Sequence, residues 1–138
     1  MRSDDDKIVL SMLDRLGACL SARDPAIVDE LWTDLGFRLI GSELGESAET
    51  RAELAALFDA LFSMPARLSW AWSERTVTRS GDLAWVCAEG ALEMAYRDRT
   101  ERKPHRAVCI FQKVAAMWCW RLFSGSEPVA APPPSLGG

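Results

Sequence analysis

The sequence predicts an α+β fold: a cone-shaped roll in which N-terminal helices pack on a strongly curved, mixed but mostly antiparallel sheet. Three observations carry this expectation. Apolar residues recur at helical spacing through the first half of the chain. The period falls to two from residue 67 onward. The later segments are joined by short turns, which argues against a Rossmann-type alternation of strands and helices.

Residues 4–20 form the first helix, because Ile8, Val9, Met12, Leu13, Leu16, Cys19 and Leu20 make one apolar stripe. Asp4, Asp5 and Asp6 place negative charge at its start, where the helix dipole favours it. Asp24-Pro25 opens a short second helix to about Trp32, with Asp as cap and Pro at the first position. Phe37 to Ile40 reads as a short strand, and 41–49 as a loop of Gly, Ser and Glu. Thr50 and Glu53 form a capping box for a third helix, ended at Phe62 by Met64-Pro65.

Strands then follow at 67–78, 83–96, 105–114 and 117–126. Leu68, Trp70 and Trp72 share a face of the first, and Ser80-Gly81 makes the hairpin to the second. That second strand is apolar on both faces, so it is expected to be central and covered on both sides. The polar stretch Arg97 to Lys103 reads as a loop, and the turn Val114-Ala115-Ala116-Met117 is unusually apolar. Residues 128–138, with Pro132-Pro133-Pro134, form an expected disordered Pro/Gly-rich tail beyond a single domain at 1–127.

At 138 residues, 49% hydrophobic and 26% charged, the chain is long enough for one core without staples. Net charge is −4 and no basic stripe is present, so no nucleic-acid partner is expected. No apolar run is long enough to span a bilayer, so no membrane partner is expected. The acidic start, Met1-Arg2-Ser3-Asp4-Asp5-Asp6, is unlike a secretory signal and leads to a cytoplasmic expectation. Cys19, Cys87, Cys109 and Cys119 form no C-x-x-C pair and are expected reduced and buried. With one histidine and no clustered cysteines, no metal and no cofactor are expected.

Several segments resemble the SnoaL-like group of the nuclear transport factor 2-like superfamily, which includes ketosteroid isomerases and polyketide cyclases. They are Arg23-Asp24-Pro25, Phe37 to Ser42, Leu57-Phe58, Ser80 to Val86, and Trp118-Cys119-Trp120-Arg121-Leu122-Phe123-Ser124. The resemblance spans roughly residues 5–127. It implies a cone with a pocket between helices and sheet, and a homodimer through the outer sheet face. Members often carry histidines in the last strand; Leu122 and Ser124 stand at those positions here. The function expected is binding, or isomerising or cyclising, a small hydrophobic ligand of polyketide or steroid type. The alternative is a non-catalytic dimerisation or regulatory module.

Chemistry in such a pocket needs a carboxylate base in a dry environment. Candidates are Asp34, between the second helix and first strand; Glu43, near the cone mouth; and Glu89, in mid-strand. Two readings stand for Glu89: a pocket base, or an ion pair on the outer face with an arginine such as Arg75 or Arg121. Candidate ligand contacts are Trp32, Phe58, Trp70, Trp72, Trp120, Leu122 and Ser124. His105, after Pro104 at a strand start, is expected on an exposed edge, and Tyr96 lies beside a charged loop.

Overall fold

The computed structural model describes residues 2–128. Helix α1 (Asp4–Ala22) is capped by the Ser3 hydroxyl, which accepts from the Asp6 N–H, with three aspartates in its first turn. It ends at Arg23, whose left-handed backbone closes the helix. The Arg23 guanidinium donates to the carbonyls of Met64 and Ala66 at 2.8 and 3.1 Å, tying that end to the entry of the sheet. Helix α2 (Ile27–Leu31) is shorter than expected. Asp24-Pro25-Ala26 is spent on a turn in which the Asp24 carboxylate accepts from the Ala26 N–H.

Strand β1 (Arg38–Ile40) pairs with β2 (Ser47–Ala48), which lies inside the segment expected to be loop. Helix α3 (Arg51–Phe62) carries the capping box, with both Thr50 and Glu53 making their reciprocal bonds. Strands β3 (Arg67–Ser80), β4 (Leu83–Ala95), β5 (Thr100–Val114) and β6 (Met117–Ser126) complete a six-stranded sheet in the order β2-β1-β6-β5-β4-β3. All neighbours are antiparallel except β1 and β6, which run parallel. The expected tail at 128–138 lies, past Pro128, outside the described residues.

The helices cover one face of the sheet. Val9, Leu13 and Leu16 of α1, Ile27 and Leu31 of α2, and Leu54 and Phe58 of α3 meet Val86, Cys109, Phe111, Trp120 and Phe123 in one core. Bulges in β3 between Trp72 and Glu74, and between β5 and β6 beside Phe111, bend the long strands around the helices. The opposite face is open. Trp85 is half-buried while Cys87 and Glu89 are exposed, so β4 is central but covered on one side only. Of the four cysteines only Cys109 is buried; Cys87 is exposed, Cys19 and Cys119 are half-buried, and all four are free.

Candidate functional site

A narrow cavity of about 80 Å³ lies between α1, α3 and the inner face of the sheet. Leu16 and Leu20 from α1 and Leu57, Phe58 and Leu61 from α3 form its helical wall. Trp70, Leu92, His105 and Phe123 form the sheet wall. Gly41, Ser42 and Glu46, from the β1–β2 connection, close one end.

His105 is the polar centre of this wall. Along β5 the inward residues are His105, Ala107, Cys109 and Phe111, all buried; His105 is 5% exposed. Its Nδ1 is buried without a hydrogen-bond partner. Glycines make room for the ring. Gly90 stands between Trp72 and His105 in a cross-strand row, so these two rings meet over it at 6.2 Å between centroids. Trp70 lies nearly parallel to the imidazole, also at 6.2 Å. On the other side a Cβ at Gly125 would fall 3.0 Å from His105 Cε1 and 3.3 Å from Nε2. Burial pushes the imidazole pKa below its usual 6.5, opposed by the charge of Glu127 and reinforced by Lys103. A neutral imidazole is therefore the resting form at pH 7.

Glu46 is the cavity's carboxylate. The β1–β2 turn folds back tightly at Gly41, whose N–H donates to the Glu46 carbonyl at 2.5 Å. A Cβ at Gly41 would lie only 2.5 Å from Glu46 Cβ. Glu46 Oε1 accepts from the Glu43 N–H at 3.0 Å. Burial raises the Glu46 pKa, the Glu43 N–H bond opposes that, and the charges of Glu43 and Glu127 add to it. Lys103 of β5 and Glu127, just past the end of β6, form a partly exposed ion pair at 3.6 Å, close enough to act on Glu46. Among the described residues no three His, Cys, Asp or Glu side chains converge as metal ligands.

The expected site residues divide sharply. Phe58 and Trp70 line the cavity. Trp72 stands one layer behind, stacked on Trp70 at 5.4 Å. Trp120 is fully buried core between Phe37 and Phe111, and Trp32 is half-buried at the end of α2; neither lines the cavity. Leu122 and Ser124 need correction. The extra residue at the β5–β6 bulge puts Trp120 and Phe123, not alternate residues, on the inner face. Leu122 and Ser124 then face outward beside Ile110 and Val108.

The three candidate bases are corrected as well. Glu89 lies on the outer face, exposed, in an ion pair with Arg106 at 3.1 Å. The ion-pair reading holds, with neither arginine named for it: Arg75 reaches Asp14 on α1, and Arg121 bonds Gln112. Asp34 is exposed in the turn before β1, and Glu43 is exposed one loop position outside the cavity. His105 and Glu46, which the sequence analysis did not favour, occupy the place instead. The signal for His105 was available in its parity, since it shares a strand face with Cys109 and Phe111. Glu46 had no signal, because loop geometry alone turns it inward.

A family model described as a SnoaL-like domain matches residues 9–129. Among curated proteins no relative matches the chain. Several solved structures share the fold. One, from Streptomyces avermitilis, is described as a candidate dehydratase of the NTF2-like family; it is 13% identical, with a TM-score of 0.79, covering 93% of this chain and 100% of that one. An NTF2-like protein with a cystatin-like fold from Novosphingobium aromaticivorans is 19% identical at TM-score 0.75, covering 93% and 84%. A CaMKII hub from S. rosetta is 20% identical at TM-score 0.73, covering 93% and 100%. At these identities the likeness shows the fold alone. No described helix is long and apolar enough to cross a membrane.

Proposed function

The chain belongs to the SnoaL-like domain family, and from that premise we propose that its cone binds a small, mostly apolar ligand that His105 meets with a hydrogen bond. The observation that carries this reading is the buried, unpartnered Nδ1 of the only histidine, on the wall of a mostly apolar cavity. A buried polar atom without a partner costs about 1–3 kcal/mol, and a ligand that supplies the partner recovers that cost. The site also supports proton transfer. Burial lowers the pKa of His105 and raises that of Glu46, so the two approach each other. A neutral imidazole can take a proton from a carbon beside a carbonyl, the elementary step of isomerase- and cyclase-type reactions.

Titration with a panel of apolar ligands, followed by tryptophan fluorescence, tests the reading. Saturable quenching through Trp70 is expected, with His105→Gln weakening binding about tenfold. A flat response across the panel would overturn it.

A second reading, assembly, is favoured by a separate observation. The outer face carries a patch of Trp85, Ile110 and Leu122 beside Cys87, Val108 and Ile40, with Val108 41% exposed. Apolar residues grouped on an open sheet face mark an association surface. Two of the solved structures are described as a CaMKII hub and as a candidate calcium/calmodulin dependent protein kinase II association domain, and they support this reading. On this reading the chain forms a homodimer through the outer sheet face. The two readings use opposite faces and are compatible.

A further inference from the structure

Resting on the pocket reading, we propose that the cavity selects a compact, uncharged ligand of no more than one ring, and that Glu46 rejects anionic analogues. Size is the first ground. The cavity measures about 80 Å³, whereas an apolar cavity of about 150 Å³ is what holds benzene. A single ring enters with small shifts of Leu57 and Leu61. Fused polycyclic skeletons would displace Leu16, Leu20 and Phe58, which are core residues as well as lining.

Charge is the second ground. Glu46 is part of the lining, with Glu43 and Glu127 near enough to act on its ionisation. The one cation beside this end, Lys103, is already paired with Glu127. A ligand carboxylate placed here meets like charge with no free cation to offset it, and like-charge juxtaposition costs several kcal/mol. The ligand must still carry one polar group, because the Nδ1 of His105 and the Nε1 of Trp70 are both buried and unpartnered on the same wall. Trp70 Nε1 can only donate and neutral imidazole can do either, so a carbonyl or hydroxyl oxygen suits both.

Three probes separate these terms: benzamide, isosteric but charged benzoate, and progesterone. Binding is read from the indole N–H signal of Trp70 in NMR spectra, assigned by its loss in Trp70→Phe. Benzamide is expected to shift that signal saturably, and benzoate to bind at least about tenfold more weakly. Progesterone is expected to leave the signal in place. Glu46→Gln, which keeps the acceptor used by the Glu43 N–H, is expected to close most of the gap between benzamide and benzoate. Equal affinity of the two in the parent protein, or an unchanged gap in Glu46→Gln, overturns the charge rule. Tighter binding of progesterone overturns the size limit while leaving the pocket reading standing. Silence from all three overturns both.

Discussion

Glu89 and Glu46 carry the same side chain in opposite surroundings. Glu89 is solvated against Arg106, so Glu89→Gln is expected to change stability by less than about 0.5 kcal/mol and leave ligand binding untouched. Chemical denaturation and the fluorescence titration check both halves. His105 behaves differently. Its pKa is depressed in the folded state, so the unfolded chain binds the proton first as pH falls. The stability tied to its neutral form is complete above about 6.5 and declines as pH drops below that value toward the folded pKa. Denaturation midpoints between pH 7 and 5 should therefore fall more steeply in the parent than in His105→Gln. Asp5 gives the acid limb. Its carboxylate accepts from Trp118 Nε1 at 2.9 Å and pairs with Lys113 and Arg79. The Trp118 bond is the chief reason its pKa lies below 3.8. That contribution is present above pH 4 and lost as pH falls through the lower folded value, so Asp5→Asn should flatten the curve there.

At the scale of elements, the turn between β5 and β6 is the least comfortable part of the fold. Ala115 and Ala116 both have left-handed backbones, with φ of 51° and 66°. Two-residue hairpins take this conformation because it matches the sheet twist, and Asn-Gly is the pair that adopts it without strain. Each alanine carries roughly 1–2 kcal/mol of that strain. Ala115→Asn with Ala116→Gly is expected to raise the denaturation midpoint by an amount equivalent to about 1–2 kcal/mol. Thr50→Ala acts the other way, costing about 1 kcal/mol through the lost cap of α3.

These elements also show what could be read in advance. Helices α1 and α3 and most of the long strands were legible from their apolar residues and local start or stop signals. Strand β5, however, begins at Thr100, inside the stretch read as a loop, because its first residues are polar and charged and show no apolar period. Strand β2 was not, since two residues paired with β1 leave no period. The inner face of β6 was missed for a physical reason: one bulge residue, Arg121, shifts the alternation, so that strict period-two counting moves Leu122 and Ser124 to the wrong side.

For the whole molecule, the two faces of the sheet differ: one encloses the cavity, and the other carries exposed Val108 with half-buried Ile110 and Leu122. Sedimentation is expected to show a dimer that Ile110→Glu dissociates, with cavity binding in the separated chains retained. Loss of cavity binding together with the dimer would mean that the partner chain shapes the pocket.

The parallel pairing of β1 with β6 has a consequence for how the protein is made. Arg38 joins Leu122 and Ile40 joins Ser124, so β1 waits for β6, from which β2, α3, β3, β4 and β5 separate it in the chain. The turn bearing Glu46 hangs from β1, and Phe123 and Gly125 arrive with β6. A chain emerging from the ribosome can fold its helices and the β3–β5 meander while the cavity has no floor. Contacts between such distant segments slow folding. The binding chamber is thus complete only once β6 has emerged, and ligand added to ribosome-bound chains halted before residue 117 should find nothing to hold it.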